Sequence, residues 1–191
     1  VKKEPCLVHL THGGYIKRMA ANEINTQNRY TQGKSGMITG DDDYVQSVYS
    51  GSTHDLVMLF SEAGLVRAKR AWLIPEGSSA QKGRHIRNLF DDFADKIQTC
   101  LFVPSLEEEE GVYLVTVTEK GKIKRTSLAE YSGSLRRNGL QALNVEEGDK
   151  FLTAAVCREH DHIMLGLSDG RVIRFDVNDE QLRSTGRLTA G

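Results

Sequence analysis

A pair of short apolar strands joined by a glycine turn recurs along the chain. Each copy has an apolar strand, a turn with glycine, a second short strand ending in lysine or arginine, and a polar loop with further cations and glycines. The copies begin with the segments 7–18, 56–67, 113–125 and 163–174. Glycine tolerates the positive φ that tight hairpin turns require. The pattern therefore predicts four β-hairpins.

The turn glycines give the length of the repeat. They are Gly14, Gly64, Gly121 and Gly170, spaced by 50, 57 and 49 residues. The extra length in the middle is explained by Ser105–Gly111, which carries four consecutive glutamates and is expected to be an exposed acidic loop. Further apolar runs predict additional strands, at Tyr44–Tyr49, Ile97–Val103 and Phe151–Cys157.

This repeat predicts an all-β fold. No stretch of helical length shows a 3.6-residue apolar period, and repeats of 40–50 residues with about four strands are typical of propeller blades. Since one blade cannot bury both of its faces, neighbouring blades are expected to stack. We expect one partial propeller domain over 1–191 with about four blades, the chain stopping within the start of a fifth. Its approximate units are 1–50, 51–105, 106–155 and 156–191.

Charge is sorted in step with the repeat. Four segments, 13–36, 64–87, 121–139 and 170–191, hold 19 of the 25 Lys and Arg but only 6 of the 26 Asp and Glu, so the net charge of −1 conceals a strong segregation. A basic segment in every unit indicates a track for a polyanion. No helix-turn-helix, zinc-finger or aromatic RNA-binding motif is evident, so we expect non-sequence-specific binding to the backbone of double-stranded DNA.

The candidate DNA-binding residues are the cations of these segments. They are Lys17, Arg18, Arg29, Lys34, Arg67, Lys69, Arg70, Lys82, Arg84, Arg87, Lys122, Lys124, Arg125, Arg136, Arg137, Arg171, Arg174 and Arg187. Any one of them could instead be a solvated charge or half of a local ion pair. We expect Gly33, Gly83 and Gly139 to serve turn geometry and to allow a phosphate to approach the backbone.

The repeat resembles the C-terminal domain of the DNA gyrase A subunit over the whole chain. The resemblance is carried by the order and spacing of several short segments, namely Ser52–Asp55, Ile74–Gly83, Gly121–Leu128, Arg136–Gly139, Glu147–Asp149, Gly170–Phe175 and Gly186–Gly191. It implies a β-pinwheel, a propeller whose blades exchange strands. It also implies a domain without catalysis of its own, which wraps DNA for an ATP-hydrolysing type IIA topoisomerase.

Further expectations follow from the resemblance alone. The holoenzyme of the family joins the gyrase A N-terminal region and the B subunit in an A2B2 assembly that uses ATP and Mg²⁺. This implies a bacterial, cytoplasmic, nucleoid-associated protein with no membrane partner, and no cofactor or metal in this part. Since the chain starts at Val1 and leads at once into a strand, we expect it to be a piece of a longer polypeptide.

One departure from the family pattern affects the expected activity. The gyrase box of the family reads Gln-Arg-Arg-Gly-Gly-Lys-Gly, whereas only Gln27, Arg29 and Gly33 match it here. The box is tied to full wrapping and negative supercoiling, so the departure questions the supercoiling activity and not the fold. The alternative is the topoisomerase IV A subunit, which decatenates and relaxes DNA. Because 52–55 and 74–83 are more gyrase-like, we favour gyrase.

Two other functional classes make different demands on the sequence. A protein-interaction propeller would concentrate function in its central loops, without cations in register. A hydrolase propeller would need a triad or a metal constellation, which the sequence lacks.

Isolated motifs are better explained as structural features. Gly33-Lys34-Ser35 lacks the upstream glycine of a P-loop, while His54-Asp55 and His160-Asp161-His162 lack a third partner. Asp41–Asp43 and Asp91-Asp92 do not have EF-hand spacing. Cys6, Cys100 and Cys157 are expected to be buried free thiols of a reducing cytoplasm. None of the six tyrosines is expected to be catalytic.

Overall fold

The chain forms an all-β structure, as expected. The structure is a computed structural model and describes residues 1–23, 35–90, 93 and 95–189. Within these ranges the helices are short 3-10 segments at Ala21–Glu23, Ala71–Leu73, Ile86–Asn88 and Leu128–Leu135. The strands are β1 (Pro5–Thr11), β2 (Tyr15–Ala20), β3 (Val45–Ser52), β4 (Leu56–Ser61), β5 (Leu65–Arg70), β6 (Arg84–His85), β7 (Ile97–Val103), β8 (Val112–Thr118), β9 (Ile123–Ser127), β10 (Leu140–Gln141), β11 (Phe151–Arg158), β12 (His162–Gly166) and β13 (Val172–Asp176).

The strands form four antiparallel sheets, one for each predicted hairpin. Their orders are β3-β1-β2-β6, β10-β5-β4-β7, β11-β8-β9 and β12-β13. The predicted hairpins form the centre of the first two sheets, one side of the third and the whole of the fourth. The three additional apolar runs become β3, β7 and β11. In the described part of the chain only the first two sheets reach the expected four strands.

Sheets exchange strands with the following repeat. The short strand β6 belongs to the second repeat but pairs with β2 of the first, with Tyr15 opposite His85 and Ile16 opposite Arg84. In the same way β10 of the third repeat pairs with β5 of the second, with Leu140 opposite Val66. This exchange is what the pinwheel resemblance implied. Because sheets draw strands from two repeats, the division into four sequence units stays a prediction.

The hairpin turns have the geometry that their glycines predict. Gly14, Gly64, Gly121 and Gly170 have φ values of 86°, 85°, 88° and 85°. This left-handed region disfavours any residue with a Cβ atom. The four hairpins therefore turn with the same backbone geometry at the same point of each repeat.

The core lies between stacked sheets. All six residues of β4 are buried, because both faces of this strand are covered. Val57 and Leu59 pack with the first sheet, whereas Met58 and Phe60 face the third. The Phe60 ring stacks on that of Phe151 in β11, at a centroid distance of 5.0 Å. The expected stacking of blades is therefore confirmed.

The third and fourth sheets stack in the same manner. In β8, Leu114 faces the second sheet while Val115 and Val117 face the fourth. Val177, just beyond β13, is fully buried in this last cluster. The side-chain period of two residues in a strand thus supplies two successive interfaces from one strand.

The cysteines are buried free thiols, as expected. Cys6, Cys100 and Cys157 lie in strands β1, β7 and β11 and form no disulfide. Burial raises the pKa of each thiol, to about 11 for Cys157. These sulfur atoms therefore act as small apolar groups of the core.

Candidate nucleic-acid interface

Two of the predicted DNA-binding lysines are buried at blade junctions. Lys17 and Lys124 each lie three residues after a turn glycine, and their exposed fractions are 0% and 3%. The Nζ atom of Lys17 donates to the carbonyl oxygens of Ser78 at 2.7 Å and Gln81 at 3.0 Å. The Nζ atom of Lys124 donates to the carbonyl oxygens of Arg187 and, at 3.3 Å, Thr189. Burial lowers the pKa of both ammonium groups.

The arginines that follow these lysines also point into the junctions. Arg18 is 6% exposed and donates from Nη2 to Glu76 at 2.8 Å. Arg125 is 1% exposed, pairs with Asp179 and places its guanidinium 4.3 Å from the centroid of the Tyr113 ring. Each acidic partner belongs to the following repeat. These cations therefore cross-link consecutive repeats.

At the second junction an arginine occupies the position of the buried lysines, three residues after the turn glycine. Arg67 is 8% exposed, and its guanidinium lies 4.8 Å from the centroid of the Phe90 ring. Gly139 rests on its aliphatic part, because a Cβ atom there would come within 2.4 Å of the Arg67 Cδ atom. At the first junction Gly83 makes the same approach, and its Cβ would lie 2.5 Å from the carbonyl oxygen of Ile16. Both glycines have positive φ, as the turn prediction required.

This burial corrects a surface position for five of the candidate residues, namely Lys17, Arg18, Arg67, Lys124 and Arg125. In the sequence these residues stand at the ends of the hairpin strands, and a strand that ends in cations looks like a strand that ends at the surface. Exchange with the next repeat covers that end, so the side chains meet carbonyl oxygens, carboxylates and aromatic rings of the protein.

The loops over the buried cations carry exposed ones. At the first junction Lys82 is half-buried, with its Nζ atom 3.9 Å from the centroid of the Tyr15 ring, whereas Arg84 and Arg87 are exposed. An open groove of about 380 Å³ runs beside them, lined by residues 75–77 and 81–84. Its rim can present cations to a polyanion.

The second junction carries an exposed pair of adjacent candidates. Arg136 and Arg137 follow directly after the 3-10 helix Leu128–Leu135, and both are exposed. The amide of Arg136 donates to the carbonyl oxygen of Gly133 at 3.1 Å, and the amide of Gly139 to that of Arg136 at 3.1 Å. Backbone turns therefore hold both guanidinium groups on the outside of the junction.

Two candidates of β5 are half-buried and held by the protein. The Nζ atom of Lys69 donates to the carbonyl oxygen of Leu89 at 2.8 Å. Arg70 donates to the carbonyl oxygen of His54 at 2.8 Å and lies 5.7 Å from the centroid of the Trp72 ring. Local acceptors therefore take up part of the hydrogen-bonding capacity of these two cations.

The remaining described candidates lie at the third and fourth hairpins. Lys122 pairs with Glu146, and Arg171 donates from Nε to Asp169 at 2.7 Å. Arg174 is exposed, and the half-buried Arg187 donates to the carbonyl oxygen of Gln141. Arg183 is not among the residues predicted from the sequence, although it lies in the fourth basic segment, and the structure exposes it at the third junction.

The gyrase-box stretch lies outside the part of the chain that the structure describes. Gln27, Arg29, Gly33 and Lys34 lie outside the described residues, as do Asp91 and Asp92. Their assignment stays a prediction from the sequence.

The motifs interpreted as structural make local contacts. The His54 ring is bonded to the carbonyl oxygen of Val1 at 2.8 Å, and the His162 ring to Asp176 at 2.5 Å. Asp43 accepts from the amides of Gly13 and Tyr44 and thereby shapes the first hairpin. Over the described ranges, no three His, Cys, Asp or Glu residues are grouped as metal ligands, and no helix is long and apolar enough to span a bilayer.

Comparison with known proteins gives one consistent family. Over its full length the chain is 35% identical to the DNA gyrase A subunit of Synechocystis sp. and 33% identical to that of Clostridium acetobutylicum, and spans 22% of the length of each. Among solved structures, a DNA gyrase A C-terminal domain superposes with a TM-score of 0.79 at 23% identity, covering 98% of this chain and 59% of that one. The C-terminal domain of a DNA topoisomerase IV gives 0.72 at 20% identity, covering 100% of this chain and 57% of the other.

A family model extends this agreement to the repeats themselves. The model of the DNA gyrase C-terminal domain, a beta-propeller, matches residues 7–51, 113–158 and 161–191. These segments contain the first, third and fourth hairpins, whose strands form three of the four stacked sheets. The chain belongs to the DNA gyrase C-terminal domain family of beta-propellers.

Proposed function

We propose that the chain is the DNA-binding and DNA-wrapping domain of a DNA gyrase A subunit. The observation that carries the proposal is the recurrence of exposed cations on the segments that cross each blade junction. The exposed cations are Arg84 and Arg87 at the first junction, Arg136 and Arg137 at the second, and Arg183 at the third, and the half-buried Lys82 and Arg187 lie on the same segments. Stacked blades repeat this arrangement along the domain and can hold successive stretches of one duplex.

The physical basis of binding is charge neutralisation. Duplex DNA carries one negative charge per about 1.7 Å of its axis, and each cation that neutralises a phosphate releases condensed counterions. Bending 20–30 bp by 40–90° costs on the order of 1–6 kcal/mol, so phosphate contacts at several junctions are needed to offset the bend. Recognition of this kind uses the backbone and deformability of DNA and needs no base contacts.

The role in a larger assembly follows from the same proposal. The domain supplies DNA binding, while cleavage and ATP hydrolysis with Mg²⁺ belong to the gyrase A N-terminal region and the B subunit, in an A2B2 enzyme. Wrapping presents one DNA segment to the cleavage gate, so that strand passage changes the linking number. Such an enzyme works on the bacterial nucleoid in the cytoplasm.

The second candidate is the A subunit of topoisomerase IV. It is favoured by the box stretch, in which only Gln27, Arg29 and Gly33 agree with the gyrase pattern. A topoisomerase IV domain would grip and bend DNA without the full chiral wrap that drives negative supercoiling.

A topology assay separates the two candidates. The chain is added to nicked circular plasmid, the nick is sealed with ligase, and the linking number is measured after the protein is removed. We expect a shift that grows with protein concentration, and its sign gives the handedness of the wrap. Binding without a shift favours the topoisomerase IV candidate. If the chain does not bind the plasmid even at low salt, the proposal is refuted and a protein-interaction propeller is favoured.

A further inference from the structure

We infer that Lys17 and Lys124 are positioning residues, which hold the loops that cross the first and third blade junctions in the conformation that binds DNA. This inference rests on the proposed function. It assigns to two buried lysines a role in DNA binding without any contact with DNA.

The first site shows how one ammonium group can hold a loop. The Nζ atom of Lys17 donates to the carbonyl oxygens of Ser78 and Gln81, which lie at the two ends of one turn. The turn is closed by the amide of Gln81, which donates to the carbonyl oxygen of Ser78 at 3.1 Å. Lys82, which we propose to bind DNA, follows immediately in the chain. The bonds of Lys17 therefore determine where the backbone beside Lys82 lies.

The third junction repeats this arrangement with different loop residues. Lys124 is also the third residue after a turn glycine, and it donates to the carbonyl oxygens of Arg187 and Thr189. One of its two acceptors is thus the backbone of a residue that we propose to bind DNA. The common element is an ammonium group bonded to backbone carbonyl oxygens, which needs no particular side chain in the loop.

Burying a cation at this position costs more free energy than burying an apolar side chain of similar size. Burial lowers the pKa of both lysines, which reflects the cost of removing their charge from water. Whole buried ion pairs can often be replaced by apolar groups without loss of stability, so a buried charge is weak evidence for a purely stabilising role. A charge-assisted bond to two carbonyl oxygens has a defined direction and length. It specifies one loop conformation, whereas an apolar contact tolerates several.

Lys82 provides a matched control for an experiment in which Lys17 is replaced. Lys17→Met and Lys82→Met each remove one ammonium group, the first buried and the second half-buried at the groove. The binding of a 40-bp duplex is measured by fluorescence anisotropy at several salt concentrations, together with backbone amide hydrogen exchange. For Lys17→Met we expect affinity to fall about fivefold, because binding must then order the loop, with an unchanged salt slope. Exchange should accelerate at the amide of Gly77, which donates to the carbonyl oxygen of Arg18, and at the amide of Gln81, which donates to that of Ser78.

The control should behave differently. For Lys82→Met we expect the slope of log affinity against log salt to fall by about 0.9, as for one lost phosphate contact. A similar fall in slope for Lys17→Met would overturn the inference, because it would indicate direct contact of Lys17 with DNA. Unchanged affinity with a lower unfolding midpoint would also overturn it, since Lys17 would then be merely structural.

A measurement on the unaltered chain covers the case in which Lys17→Met does not fold. The ammonium protons of Lys17 and Lys124 are observed by NMR with and without the duplex. We expect both to exchange slowly with water and to keep their shifts when DNA binds, while those of Lys82 change. Rapid exchange in the free chain would refute the inference. If the chain binds no DNA but these protons exchange slowly, the proposed function fails while the loop anchoring stands.

Discussion

Neutralising Arg136 and Arg137 should weaken DNA binding without destabilising the domain. Both side chains are exposed, and the turn that holds them is made by backbone hydrogen bonds. The variant Arg136→Gln/Arg137→Gln keeps the length and polarity of the side chains and removes two positive charges. It should leave the free energy of unfolding within about 0.5 kcal/mol of the original, as is usual for surface substitutions.

The size of the effect follows from counterion release. Each phosphate contact contributes about 0.9 to the slope of log affinity against log salt, so two lost contacts lower the slope by about 1.8. Over a fourfold increase in salt, from about 50 to 200 mM, the original protein should therefore lose about twelvefold more affinity than the variant. The difference between the proteins is largest at low salt.

The assay is fluorescence anisotropy with a labelled duplex at five or more salt concentrations, combined with urea unfolding. Lys124→Gln/Arg125→Gln is the control, because it also removes two charges from the third basic segment, but at buried positions. Loss of a buried donor leaves carbonyl oxygens unpaired, which costs about 1–3 kcal/mol for each group. This control should lower the urea midpoint markedly.

The outcome that would refute this reasoning is specific. If Arg136→Gln/Arg137→Gln leaves both affinity and salt slope unchanged, the second junction does not contact DNA and the proposed track is interrupted. If the variant unfolds as readily as Lys124→Gln/Arg125→Gln, the two arginines have a structural role instead.

Three further predictions concern the fold. In urea unfolding, Gly83→Ala should lower the free energy of unfolding by more than Gly121→Ala: both glycines have positive φ, worth about 1–2 kcal/mol, but only at Gly83 would a Cβ atom come within 2.5 Å of a carbonyl oxygen. Equal losses of unfolding free energy would contradict this close approach. Phe60→Ala should lower the free energy of unfolding by about 3–5 kcal/mol, since it empties a buried site between two sheets, whereas Met164→Ala at a 68% exposed position should lower it by under about 0.5 kcal/mol. Similar unfolding midpoints for the two variants would contradict the stacking of the sheets. Because burial raises the thiol pKa of Cys157, its contribution to the free energy of unfolding should be fully present below the pKa of an unfolded cysteine, near 8.5, and should be lost as the pH rises towards about 11. Rapid labelling of this cysteine by a thiol reagent in the native protein at pH 8 would argue against its burial.

Local pattern was sufficient to predict the hairpins and the stacking. Glycine at four equivalent turns has a direct conformational reason, and the structure gives positive φ at each of them. The repeat predicted that neighbouring blades stack, and the core clusters confirm it, with β4 and β8 covered on both faces. Strand exchange was expected only from the resemblance, because the two-residue strands β6 and β10 have no apolar period that could reveal them.

The candidate site could be predicted only in part. Arg136 and Lys17 both lie in basic segments, and no local feature separates the exposed residue from the buried one. The distinction depends on Ser78 and Gln81, which are more than 60 residues from Lys17 in the chain and supply the carbonyl oxygens that bind it. Arg183 was missed for a related reason, because its exposure depends on how the segment after β13 folds over the third junction.

The sequence alone determined the all-β repeat, its turns and the segregation of charge, because each depends on neighbours within a few residues. The tertiary structure decided which cations bind the protein and which face the solvent. That choice depends on exchange between repeats, which covers the ends of the hairpin strands with loops from the following repeat. A cation covered in this way must find acceptors within the protein, since burying an unpaired charge is too costly. Only the remaining cations are available for the DNA contacts that we propose.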